Sequence, residues 1–114
     1  MSRPRVLLVP TFTDLEWTIK PLLEDWAEVA SYDAPGIGNE PDPDGLLTPA
    51  TAERGITEIE RRGWDGCVVA GDEFGSVAAI LLGRRRPDLV DALAIGHAAV
   101  SYRRRGDRPA VTPR

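Results

Sequence analysis

The stretch VVAGDEFGSVAA, residues 68–79, decides the fold because it joins the end of a strand, a tight corner and the start of a helix. Its first three residues are apolar, as expected of a strand buried on both faces of a parallel sheet. Gly71 and Gly75 flank the corner, and Glu73 stands at its apex. Small residues at this spacing let a strand and the following helix pass closely. The pattern therefore predicts a sharp turn in which Glu73 has a positive φ.

Strand-like and helical patterns alternate outward from this corner. Apolar, β-rich runs predict strands at 5–10, 28–36, 65–72 and 90–99, and helical periodicity predicts helices at 13–27, 49–63 and 76–89. Pro21 is expected to interrupt the first helix, and Thr48 to cap the second. The order βαβαβαβ predicts an α/β fold, a three-layer sandwich with a four-stranded parallel sheet and right-handed crossovers. We expect residues 1–100 to form one domain and residues 101–114 to be an arginine-rich tail.

Composition excludes several classes of protein. The chain has 114 residues and a net charge of −4, and no aromatic residues interleave its arginine runs, so nucleic-acid binding is not indicated. No apolar run approaches the roughly 20 residues of a membrane span. A single cysteine, Cys67, excludes an internal disulfide and a cysteine-based metal cluster, and a cytoplasmic location is expected. PGIG, residues 35–38, lacks the spacing of a dinucleotide or phosphate loop, so no cofactor or metal is predicted.

Charge is unevenly distributed along the chain. Residues 14–44 hold nine acids against Lys20 alone, whereas residues 84–114 hold eight arginines against three aspartates. Such asymmetry is typical of a partner surface, but helix ends and solvated loops also produce it.

Two long stretches resemble the amino-terminal half of an α/β-hydrolase. VLLVPTFTDLEWTIKPLLEDWAEVASYDAPGIGNEPDPDG, residues 6–45, is similar to that family's strand, oxyanion loop, helix, next strand and D-x-PG-x-G turn. GDEFGSVAAILLGRRRPDLVDALAIG, residues 71–96, is similar to its nucleophile elbow, the helix after it and the next strand. The resemblance implies the strand order 2-1-3-4, with the site at the carboxyl ends of the strands.

The resemblance also assigns candidate site residues. Glu73 stands where the family usually has its elbow serine, and it is either a carboxylate nucleophile or the remnant of an inactive corner. Thr11, Phe12 and Phe74 are the candidate substrate-binding residues, because Phe12 and Phe74 occupy the positions whose backbone N–H groups form an oxyanion hole. His97 is the only histidine, and it follows the strand expected beside the elbow. Its imidazole is either a base acting on Glu73 or a solvated strand-end side chain.

The family's acid and histidine normally come from later strands. We therefore expect a hydrolase-related protein that lacks a complete triad and is non-catalytic alone or is completed by a partner chain. The alternative is a small hydrolase acting on an ester, epoxide or similar electrophile, with Glu73 as carboxylate nucleophile or base. A flavodoxin-like binding domain is a third and more distant possibility, since the phosphate loop is missing.

The last predicted strand, residues 90–99, points to a partner. Its apolar run is suited to burial on both faces, and it contains neither lysine nor proline to discourage strand pairing at an edge. We expect this edge to contact a second copy or another protein chain.

Overall fold

The computed structural model describes residues 3–11, 15–36 and 47–97. Four strands and three helices alternate in this part of the chain, namely β1 (Arg5–Leu8), α1 (Leu15–Leu23), β2 (Glu28–Ser31), α2 (Leu47–Arg61), β3 (Cys67–Asp72), α3 (Phe74–Arg85) and β4 (Val90–Gly96). The strands form one parallel sheet in the order β2-β1-β3-β4. The predicted fold class and strand order are confirmed.

Alternating residues of the central strands face two different layers. Leu7 and Val69 belong to the larger core cluster, into which α2 and α3 pack with residues such as Ile59 and Leu82. Val6 and Leu8 point to the opposite face, where they form a smaller cluster with Ala27 beside α1. Both faces of β1 are therefore buried, which is why its sequence is continuously apolar.

Several element boundaries differ from the predictions. Pro21 lies inside α1 and does not interrupt it, and Glu24 N–H still donates to Lys20 C=O at 3.0 Å. Thr48 is a residue of α2 and not its cap, because the helix begins at Leu47. The second strand ends at Ser31, before the Pro-Gly turn, and the third helix stops at Arg85. Pro21 removes one backbone N–H donor from α1, but only two further residues of the helix follow it.

Side-chain burial corrects two further expectations. A tryptophan next to a helix is expected to pack in the core, but Trp26 is 55% exposed, whereas Trp64 and Cys67 are buried. The five central residues of β4 are all exposed, although their apolar run predicted burial on both faces. β4 is an edge strand of the described sheet, so one of its edges has no neighbouring strand there, and few described residues pack against its side chains. None of the described helices is long and apolar enough to cross a membrane.

Candidate functional site at the strand carboxyl ends

The corner between β3 and α3 has the predicted geometry. Glu73 has φ 52° and ψ −119°, immediately before the first residue of α3, so the expected positive φ is confirmed. A Cβ added to Gly71 would lie 2.7 Å from the carbonyl carbon of Gly75. A Cβ added to Gly75 would lie 3.0 Å from the carbonyl oxygen of Pro10. A side chain at either position would therefore collide with neighbouring backbone, so both positions need glycine. Glu73 lies exposed at the apex between them.

A buried serine ties this corner to the end of β4. Ser76 Oγ lies 3.1 Å from the carbonyl oxygen of Gly71 and 2.5 Å from that of Gly96, and the side chain is fully buried. Since a hydroxyl has one proton, it donates to one of these carbonyls at a time. Glu73 N–H donates to Gly96 C=O at 3.1 Å. Ser76 was not among the predicted site residues, although it is a polar residue in the first turn of an otherwise apolar helix segment.

His97 pairs with Asp72 and not with Glu73. Its Nδ1 lies 2.9 Å from Asp72 Oδ1, and the imidazole is 84% exposed while the aspartate side chain is 20% exposed. His97 itself has φ 48°, a left-handed conformation that aims its ring across the end of β3. Asp72 was not selected from the sequence as a partner for histidine. The register Asp72 opposite Gly96 brings it next to His97, and register is a tertiary property.

The carboxylates around His97 raise the pKa of its imidazole above the ordinary 6.5, first through the hydrogen bond to Asp72, then through the charge of Asp72 and that of Glu73. Because the pKa is raised in the folded state, the protonated pair contributes stability below the unfolded pKa. That contribution is lost as the pH rises through the folded pKa. The exposed ring makes the effect on unfolding small, so the titration itself is the better observable.

NMR titration of the single histidine tests this pairing. We expect the His97 ring resonances of the wild type to shift with a midpoint above 6.5, and Asp72→Asn to lower that midpoint. Glu73→Gln serves as the matched control and is expected to lower it less, because Glu73 contributes charge but no hydrogen bond. A wild-type midpoint at or below 6.5, or an equal effect of both variants, would contradict the pairing.

Two of the three predicted substrate-binding residues lie in the described part of the chain, and their role stays a prediction. Thr11 Oγ1 is buried and has no hydrogen-bond partner among the described residues. Phe74 is 47% exposed at the first position of α3. Phe12 lies outside the described residues, so its part in an oxyanion hole remains a prediction.

An apolar groove of about 570 Å³ begins at the Asp72–His97 pair and runs along the α1 face of the sheet. Its floor consists of residues from β1, β3 and β4, and one wall is formed by Ile19, Leu23 and Trp26. Among the residues that the structure describes, Asp72 and His97 are the only ionisable ones in its lining. In the described ranges no three His, Cys, Asp or Glu side chains cluster in a way that could hold a metal ion.

Several solved structures that superpose on this chain are named as hydrolases or dehalogenases. An epoxide hydrolase superposes with a TM-score of 0.74 at 25% identity over 96% of this chain and 40% of its own. A haloalkane dehalogenase variant from Bradyrhizobium elkanii has a TM-score of 0.66 at 26% identity, covering 82% of this chain and 32% of its own. A 2-hydroxy-6-oxo-6-phenylhexa-2,4-dienoate hydrolase from Rhodococcus gives 0.71 at 18% identity, covering 82% and 37%.

The chain thus spans well under half the length of each of these three hydrolases. No protein-family profile matches the sequence, and no curated protein matches it. The likeness therefore rests on the superposition of the structures.

Proposed function

Since this chain has the fold of the amino-terminal half of an α/β-hydrolase, we propose that it is a hydrolase-related protein that is non-catalytic alone and is completed by another chain at β4. The observation that carries the proposal is the state of β4. Five of its seven residues are exposed, its outer edge is unpaired within the described sheet, and its end adjoins the Glu73 corner. A sheet edge of this kind is a template for a further strand.

The arrangement of ionisable groups supports the same proposal. The only histidine of the sequence engages Asp72 through Nδ1, so no described imidazole hydrogen-bonds the Glu73 carboxylate. A nucleophile and its base need to lie within hydrogen-bond reach for efficient turnover. A partner that adds structure beside β4 would lie next to Glu73 and His97, where the missing base could be supplied.

Assays of the isolated chain test the proposal. We expect hydrolysis of a p-nitrophenyl ester, an epoxide and a haloalkane at the same background rate for the wild type, Glu73→Gln and His97→Ala. Glu60→Gln, a change of an exposed glutamate on α2, is the matched control. A wild-type rate at least tenfold above background, lost in Glu73→Gln and kept in Glu60→Gln, would overturn the proposal.

That outcome would favour a second candidate function, a hydrolase that uses Glu73 as a carboxylate nucleophile. Its exposed position at a positive-φ apex is the observation in favour, and the structural similarity to an epoxide hydrolase and a haloalkane dehalogenase suggests the electrophiles to test. Glu73 would attack carbon and form an ester as the carbon–halogen bond or one carbon–oxygen bond of the epoxide breaks. Halide is released in the first case, and the epoxide oxygen takes a proton from water in the second. Water would then hydrolyse the ester and restore the Glu73 carboxylate. Mass spectrometry of the protein after substrate addition would detect the ester, and its absence during turnover would contradict this candidate.

A further inference from the structure

The carboxyl end of β4 is fastened to the Glu73 corner by polar contacts of the backbone and of two side chains. Gly96 C=O accepts from Glu73 N–H at 3.1 Å, and it lies 2.5 Å from the buried hydroxyl of Ser76. The next residue, His97, places its Nδ1 2.9 Å from Asp72 Oδ1. Asp72, Glu73, Ser76, Gly96 and His97 therefore form one connected cluster, which we call the clasp.

Backbone strain is concentrated in the clasp. In the part of the chain that the structure describes, Glu73 and His97 are the only non-glycine residues with a positive φ, at 52° and 48°. They directly follow Asp72 and Gly96, which lie opposite each other in the β3–β4 register. A left-handed backbone is unfavourable for residues with a side chain, so it persists only where surrounding contacts hold it. Both strained residues are bonded across the β3–β4 pairing, so the clasp supplies contacts that hold them.

We propose that the clasp is a pH-dependent device that holds the Glu73 corner, tight when His97 is protonated and looser when His97 has lost its proton. An imidazolium N–H that donates to a carboxylate makes a charge-assisted hydrogen bond, whereas a neutral ring offers only an uncharged donor. A weaker bond to Asp72 releases the end of β4, and this end carries the carbonyl of Gly96 that Glu73 N–H bonds. The protonation state of His97 is thus transmitted to the backbone of Glu73.

The charged groups that face His97 favour its protonated form. Asp72 on β3 accepts the hydrogen bond of the ring, and Glu73 in the corner adds a second negative charge, so the pKa of the imidazole is raised. The described residues of α1 and β1 that line the adjoining groove carry no charge. The clasp is therefore stabilised below the ordinary pKa of histidine, and this stabilisation is lost as the pH rises through the raised pKa.

Two parts of the candidate site change when the clasp loosens. Glu73 is exposed at the apex, and its backbone is no longer held at a positive φ once Gly96 C=O moves away. Asp72, Gly96 and His97 also line one end of the groove, so the same movement widens that end. One ionisation thus controls the corner and the groove together. Every residue of the clasp belongs to this chain, so the inference stands apart from the further chain proposed at β4.

Amide hydrogen exchange followed by NMR tests the clasp. The Glu73 amide is the reporter, and the Cys67 amide is the internal reference, because Cys67 N–H donates to Leu89 C=O, also at 3.1 Å, at the other end of the same strand pair. We expect the protection factor of Glu73, corrected for the intrinsic pH dependence of exchange, to fall by about two- to fivefold as the pH rises through the His97 midpoint. The protection factor of Cys67 is expected to stay constant.

Variants separate the parts of the clasp. Asp72→Asn keeps the shape of the side chain and removes its charge, so the pH dependence at Glu73 is expected to disappear. Ser76→Ala is expected to lower the protection of Glu73 by about threefold or more at every pH, with the pH dependence kept. Thr57→Ala is the matched control, because it removes a hydroxyl that donates to Glu53 C=O at 3.1 Å within α2, and it is expected to leave Glu73 unchanged.

Three results would overturn the inference. The protection of Glu73 does not depend on pH in the wild type, or it keeps that dependence in Asp72→Asn, or Cys67 loses protection in parallel because β4 detaches as a whole. If Ser76→Ala does not fold, Gly96→Ala takes its place, since an added Cβ would lie 2.9 Å from Asp72 Oδ1 and displace the carboxylate. The His97 midpoint is then expected to fall towards its ordinary 6.5, and an unchanged midpoint would count against the clasp. None of these measurements depends on turnover or on a further chain.

Discussion

Gly71→Ala is expected to destabilise the protein by about 3 kcal/mol or more. The added methyl carbon would lie 2.7 Å from the carbonyl carbon of Gly75 and 2.9 Å from the amide nitrogen of Ser76. Both are backbone atoms, and Gly75 is itself close to the carbonyl oxygens of Val9 and Pro10, so the first turn of α3 has little room to move away. Urea unfolding followed by circular dichroism measures the loss.

Gly83→Ala in the last turn of α3 is the matched control. A Cβ there would meet the Leu93 side chain at 3.5 Å, an ordinary van der Waals distance, and the helix interior favours alanine over glycine. We expect a gain of about 0.5–1 kcal/mol in the free energy of unfolding. If both variants lost similar stability, the effect at Gly71 would not reflect the closeness of strand and helix at the corner.

Leu82→Ala is expected to cost about 2–5 kcal/mol, because Leu82 is fully buried where α3 packs against α2. Gly55→Ala, on the facing helix, is expected to cost about 1–3 kcal/mol. Its added methyl carbon would lie 2.7 Å from Leu82 Cδ1 and 2.7 Å from Tyr32 Oη. Tyr32 is held in place because its hydroxyl donates to Thr51 C=O at 2.8 Å, and burial raises the pKa of this phenol, which keeps its proton.

The double variant Gly55→Ala, Leu82→Ala is expected to lose less stability than the sum of the two single changes. Truncating Leu82 removes one of the two side chains that crowd the new methyl group, and the methyl group fills part of the cavity. Chemical denaturation of the wild type and the three variants gives the four free energies of unfolding of this double-mutant cycle. If the two losses of stability were additive, the methyl group added by Gly55→Ala would not occupy the cavity left by Leu82→Ala, and the prediction would be wrong.

Local patterns were sufficient to predict the sequence of elements and the corner. Alternating strand and helix signals depend on neighbouring residues. The spacing of Gly71 and Gly75 is likewise local, because the corner needs residues without a side chain at two positions within a five-residue stretch. The positive φ of Glu73 follows from that requirement. The ends of elements were less predictable, as Thr48 and Pro21 illustrate, because a helix end depends on packing as well as on capping residues.

The sequence by itself determined the class of fold, the parallel sheet and the sharp turn with positive φ at Glu73, because these follow from hydrophobic periodicity and glycine positions along the chain. Tertiary structure alone decided the partner of His97, since the pairing of β3 with β4 puts Asp72 beside that ring. It also decided that Trp26 and the apolar residues of β4 are exposed. A side chain is buried only where other parts of the structure pack against it. The apolar pattern of a strand shows which side chains favour burial, but it does not show whether other elements cover them.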